Sequence, residues 1–94
     1  MASGKNNAVI SVIGKDKVGI IAKVSTLLAE NNININDISQ TILDDIFTMI
    51  MMVDLQGLKI EESDIKEKLN SLGEELGVAI TIQHTDLFDK MHRI

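Results

Sequence analysis

No cysteine occurs among the 94 residues, which excludes disulfides, thiolate zinc sites, iron–sulfur clusters and cysteine nucleophiles and agrees with a reducing compartment. Aromatic side chains are nearly missing too: there is no tryptophan or tyrosine, and there are two phenylalanines. Positive charge is in short supply. Nine Lys and Arg stand against 14 Asp and Glu, giving a net charge of −5 and a pI near 4.8. That is the wrong sign for a surface that neutralises phosphates. Long apolar runs are absent as well, since nothing near Met49–Val53 approaches the roughly 18–20 residues that span a bilayer. Met1 to Asn7 holds a single lysine, and no uncharged apolar segment of signal-peptide length follows it. These features predict a cytoplasmic domain with no membrane or direct nucleic-acid partner.

What remains is 45% hydrophobic and 24% charged, the balance of a folded domain. A chain of this length supports one domain and buries roughly 60–65% of its extended-chain surface. Residues 1–7 read as a disordered arm, residues 8–85 as the domain, and residues 86–94 as a tail.

The apolar periods change along the chain. Ala8 to Ile13 are short or β-branched and apolar on both faces, as in a central strand that Gly14 ends. From Val18 to Asn31 the stripe Ile21, Val24 and Leu28, flanked by Ile20, Leu27 and Asn31, predicts a helix, with Asn31-Asn32 closing it in a left-handed turn. Ile33 and Ile35 alternate with asparagine, and then the apolar phase jumps to Ile38 and Ile42, which predicts a bulge near Asn36-Asp37. Asp44-Asp45 turns the chain into a third strand, Ile46 to Val53, again apolar on both faces. Ile65, Leu69, Leu72 and Leu76 mark a second helix that Gly77 stops, and Val78, Ile80 and Ile82 mark a fourth strand. Leu87, Phe88 and Met91 give the tail the spacing of a short helix.

The order β-α-β-β-α-β folds into an α+β, ferredoxin-like plait. It predicts a four-stranded antiparallel sheet in the order 4-1-3-2, with both helices on one face and a short C-terminal tail helix. The other sheet face is left uncovered, and strands one and three put apolar residues on it, which predicts a homodimer.

Catalytic arrangements are hard to assemble from these residues. The serines sit in strand and helix patterns without a strained-turn motif, and the histidines are His84 at a strand end and His92 in the tail. Asp44-Asp45 and Asp86/Asp89 read as solvated pairs. A metal site could be drawn from His84, Asp86, Asp89 and His92, but the spacing is that of a solvated tail. No cofactor is expected. RNA recognition on such a sheet would use aromatic residues of the central strands, where Phe47 stands alone.

One segment stands out: Gly14-Lys15-Asp16-Lys17-Val18-Gly19-Ile20, running from the first strand into the first helix. Gly14 would let the chain leave the strand sharply. Gly19 in the first helical turn lowers helix propensity, and it either lets helix pack on sheet or admits a small ligand to the free N–H groups of the helix start. Both readings stay open on the residues alone.

This segment, followed by Asn32-Ile33-Asn34-Ile35 at the second strand, resembles the ACT domain, a small regulatory module of amino-acid metabolism. The resemblance extends over about residues 8–83. The tail and the stretch Asn36 to Thr41 are similar to stand-alone single-ACT proteins, which are related to the amino-terminal part of the glycine cleavage system transcriptional repressor. The resemblance implies a small amino-acid effector held at a subunit interface. Its contacts would come from Gly14, Lys15, Asp16, Lys17, Val18, Gly19 and Ile20, with Asn34 and Asn36 on the second strand. Asp16 stands where serine-binding members place an amide, so it would meet an ammonium group or cap the helix. The expected function is a non-enzymatic homodimer or higher homo-oligomer that binds an amino acid and signals to a separate regulatory protein. The alternative is an assembly domain that has lost its ligand.

Overall fold

The computed structural model describes residues 7–15 and 18–85. In chain order the elements are β1 (Asn7–Lys15), α1 (Ile20–Glu30), β2 (Asn34–Leu43), β3 (Ile46–Asp54), α2 (Glu62–Leu76) and β4 (Ala79–His84). The four strands form one sheet in the order β2-β3-β1-β4, and every pairing is antiparallel. This is the expected plait read from its other edge. The tail, residues 86–94, lies outside the described residues, as do residues 1–6 of the expected arm, whose last residue, Asn7, is instead the first of β1.

Strand alternation puts Ala8, Ile10 and Val12 of β1 on the same face as Phe47, Met49, Met51 and Val53 of β3, and all seven are buried. The helices cover this face. From α1 come Ile20, Val24 and Leu28, and from α2 come Ile65 and Leu69. Fully burying one such side chain stabilises by roughly 1.5–3 kcal/mol. The stripe of α1 is rotated from the sequence expectation: Ile20 is 1% exposed and Ile21 37%. The helix starts at Ile20, so the inward positions run i, i+4, i+8.

The opposite sheet face carries Val9, Ser11 and Ile13 beside Met52, Ile50 and Thr48. No helix of the described residues lies over it. Of the three methionines in β3, Met49 and Met51 are core, and Met52 faces outward.

Several turns follow their residue chemistry. Asn32 adopts φ 61° and Asp44 φ 58°, the left-handed region in which asparagine and aspartate are favoured among side-chain-bearing residues. The register of β2 against β3 slips between Ile35 and Asp37, so the bulge falls at Asn36 as the phase jump predicts. Gly77 caps α2 at φ 74°.

Two glycines are required by tertiary packing, and the first departs from the sequence expectation. Gly14 does not end β1; it pairs with Phe47, and the strand runs on to Lys15. Its missing side chain is filled by Val78, whose Cγ1 would lie 2.5 Å from a Cβ at this position. Gly73, inside α2, has a tertiary reason too. A Cβ there would meet the Val78 carbonyl oxygen at 2.8 Å, and the Gly73 carbonyl accepts the Val78 N–H at 2.9 Å.

Candidate functional site

The first strand leads into α1 through the segment that stands out in the sequence. Lys15, the last residue of β1, pairs with Asp45 of the β2–β3 turn at 3.3 Å, with both side chains exposed. Asp16 and Lys17 lie outside the described residues. Val18 is fully exposed. Gly19 is the N-cap of α1 with φ 89° and ψ 0°, and no side chain caps the helix there. Its carbonyl accepts the Lys23 N–H at 3.0 Å, the first bond of the helix. Gly19 therefore precedes the first helical turn rather than sitting in it, and its left-handed backbone is what requires glycine.

Around this cap lies a cavity of about 490 Å³ lined by Gly19, Ile20, Ile21, Ala22, Gln40, Ile42 and Phe47. Its roof is the start of α1, where uncapped N–H groups and the positive end of the helix dipole favour an anion. The first turn carries no acidic residue to offset that field. The floor is the row Ile42, Gln40 of β2 with Phe47 of β3, which share the helix-facing side of the sheet. The arrangement can take a small molecule with a carboxylate at one end and an apolar or amide-bonding portion at the other. Among the described residues no group of three His, Cys, Asp or Glu side chains could hold a metal ion.

The other two expected contacts are elsewhere. Asn34 pairs across the sheet with Asp54, which in turn pairs with Asn7 at the far end of β1. Asn34 Nδ2 donates to Asn36 Oδ1 at 3.1 Å, and both residues are exposed. From Asn34 to Ile42 an extended strand spans about 25 Å. Within one chain, then, Gly19 and Ile20 line the cavity, whereas Gly14 is packed on Val78 and the two asparagines are at the opposite end of β2. Gln40, Ile42, Phe47, Ile21 and Ala22 complete the cavity and lie outside the contacts that the sequence predicts. The available signal was Gln40, an amide set between Ile38 and Ile42 on an otherwise apolar strand face.

The ACT domain model matches residues 6–83. A UPF0237 protein of Methanocaldococcus jannaschii is 53% identical over 89 residues, covering 95% of this chain and 99% of that protein. The chain belongs to the ACT domain family. An ACT domain protein from Streptococcus pneumoniae has a similar structure, with a TM-score of 0.78 and 42% identity over 88% of this chain and 93% of that one. The ACT fold also recurs in half of a longer chain named for the glycine cleavage system transcriptional repressor, with a TM-score of 0.71 and 24% identity over 88% of this chain and 47% of that one. The regulatory subunit of aspartate kinase from Thermus thermophilus, in its ligand-free form, is 28% identical at a TM-score of 0.64, over 83% of this chain and 50% of that one. No helix among the described residues of this ACT domain is long and apolar enough to cross a membrane.

Proposed function

We propose that this ACT domain is a non-catalytic regulatory module that binds a small amino acid between two copies of itself and passes the bound state to a separate protein. The observation that carries the reading is the division of the site along one edge strand. The cavity at Gly19 and Gln40 lies at one end of β2, and Asn34 and Asn36 lie at the other. β2 is an edge strand, exposed along most of its length. Antiparallel pairing of two β2 strands about a two-fold axis near Ile38-Ser39 brings Asn34 and Asn36 of the second copy beside residues 41–43 of the first. The effector carboxylate then meets the N–H groups at the start of α1, and the asparagines or Asp16 take the ammonium group.

Thermal unfolding in the presence of each of the twenty amino acids tests this. A ligand at 100 times its dissociation constant stabilises by about 2.7 kcal/mol. Calorimetry on Gln40→Ala and Asn34→Ala then locates the site. Each variant removes a hydrogen bond of about 0.5–1.5 kcal/mol, or about 1.5–3 kcal/mol if it reaches a charged group. The affinity falls roughly 2- to 150-fold in consequence. Unchanged affinity in both variants would place the ligand elsewhere.

One observation favours a second reading, an assembly domain without a ligand. The helix-free sheet face is a layer of aliphatic and hydroxyl side chains, with Ile13, Ile46, Ile50 and Met52 all exposed. A face of that kind can bind protein with no effector at all. The absence of a thermal shift with every amino acid would select it.

A further inference from the structure

The two helices do not close on each other. Between α1 and α2 runs a groove of about 880 Å³. Every residue lining it belongs to a helix or, as Ile60, to the entry of α2, so it opens on the side of the helix layer away from the sheet. Leu27, Ile60 and Leu72 give it an apolar floor, each partly buried against the core.

The rim is net negative. Glu30, Asp64, Glu67 and Glu75 line it, against Lys23 and Lys68. The Lys59 N–H donates to the Asn31 carbonyl at 3.3 Å and ties the end of α1 to the entry of α2, so Glu30, Asp64 and Glu67 share one end of the groove. Lys59 itself does not line it. The last turn of α1 holds no base, and the negative end of its dipole adds to those acids. α2 begins at the same end, where its first turn sets Glu62 as well as Asp64 against the positive end of that helix. Among the described residues none of the four rim acids is held in an ion pair.

We propose that this groove receives an amphipathic helix of the partner protein, apolar on one face and carrying lysine or arginine beside it. The inference rests on the regulatory reading above for the existence of a partner, and adds where that partner binds and by what chemistry. A helix laid along two helices fits the shape. From Asp64 to Glu75 the groove follows α2 for about 16 Å, or three turns. Leucine-sized side chains at i, i+3, i+4 and i+7 reach such a floor, and flanking bases meet acids that have no ion-pair partner in this chain. Charge selects the class of partner. The rim and the net charge of −5 on the whole chain turn an acidic helix away, and a second copy of the same face would set acids against acids. Ala22 lines both the groove and the cavity at Gly19, so a helix docked here leans on a wall of the effector site.

Fluorescence anisotropy of a labelled peptide tests this on the full chain with no amino acid present. The probe is a peptide of about 14 residues of leucine, alanine and lysine, its leucines at i, i+3, i+4 and i+7. It binds at least about tenfold more tightly than a peptide of the same composition whose leucines are scattered round the helix. Two groove variants at exposed positions, Glu67→Lys and Ser71→Trp, weaken it at least about tenfold, the first by charge and the second by filling the groove. Asp37→Lys makes the same charge change on the opposite face of the sheet, beside Met52, and weakens it less than about threefold. Equal affinity for the two peptides, or equal losses in Glu67→Lys and Asp37→Lys, overturns the inference in favour of general attraction to an acidic chain. Absence of binding up to about 1 mM overturns it too. If Ser71→Trp alone changes the sedimentation of the chain, a second copy covers the groove and the inference falls in that case as well. A chain that binds this peptide but no amino acid removes the effector reading and keeps the docking site, and the reverse result does the opposite.

Discussion

Gly14 and Val78 are packed so closely that a methyl group on Gly14 would lie 2.5 Å from Val78 Cγ1 and 2.9 Å from its Cβ. Val78 immediately precedes the first rung of the β1–β4 ladder, Ile13 opposite Ala79. It also donates its N–H to Gly73 at the end of α2. One glycine thus sets how near the α2–β4 connection comes to the sheet.

Gly14→Ala should therefore destabilise by overpacking, by about 1–3 kcal/mol. For a domain of this size each kcal/mol lowers the melting temperature by roughly 4–8 °C. Val78→Ala removes the nearest of the clashing atoms. In the double variant the loss should be smaller than the sum of the single losses, by at least about 0.5 kcal/mol. Additive losses in chemical denaturation would show that the Val78 contact is not the cause.

Gly19 makes the opposite case. An added Cβ there finds nothing within 4 Å, yet the backbone sits at φ 89°. Space is free and conformation is not. Gly19→Ala should destabilise by about 1–2 kcal/mol through left-handed strain alone. Gly19→Asn should lose less and Gly19→Val more, because asparagine tolerates this region and β-branched residues do not. Urea denaturation of the three variants checks the order. An equal loss in all three would point to a lost contact instead of strain. The same argument makes Gly19→Asn, rather than Gly19→Val, the better variant for probing ligand entry without weakening α1.

Asn32 separates the two effects within one side chain. It holds φ 61°, and its Nδ2 donates to the Gly57 carbonyl at 2.9 Å. That bond ties the α1–β2 turn to the loop between β3 and α2. Asn32→Gly keeps the conformation and loses the bond, with an expected loss of about 0.5–1.5 kcal/mol. Asn32→Ala loses the bond and adds left-handed strain, so it should be worse by about 1 kcal/mol. If alanine proves no worse than glycine in equilibrium unfolding, the turn has relaxed to another conformation.

These residues also mark what could be read before the structure and what could not. The bulge at Asn36, the left-handed turn at Asn32, the Asp44-Asp45 hairpin and the Gly77 stop all rest on local chemistry. Each was visible as a phase change or a turn residue. Gly14 reads locally as a strand terminator, but its reason for being glycine is Val78, more than sixty residues away. In α1 both Ile20 and Ile21 fit an apolar stripe, and the left-handed cap at Gly19 decides which of them points inward. The cavity was half legible. The helix start follows from local sequence, but Gln40 and Ile42 reach it only because β2 pairs with β3 beside Phe47. The distance from Asn34 to that cavity is a property of strand register, which no local pattern reports.

The last prediction concerns which surface joins two copies. Under the proposed function, edge pairing of β2 would unite the two halves of the site, whereas stacking of the helix-free sheet faces would leave them apart. The two modes respond to different substitutions. Ile38 lies in the middle of β2, on the side that faces the helices. A two-fold axis near it sets the same position of both copies side by side, so Ile38→Lys places two positive charges together on a strand edge. Ile50 lies at the centre of the opposite face, between Ser11 and Ser39. Ile50→Lys puts a charge under any stacked sheet and leaves the β2 edge untouched. Sedimentation at micromolar concentration should find the parent chain and Ile50→Lys dimeric and Ile38→Lys monomeric, with effector binding lost along with the dimer. The reverse pattern would assign the dimer to the sheet face. The cavity at Gly19 would then have to bind its ligand without Asn34 of a second copy, and Asn34→Ala would leave affinity unchanged.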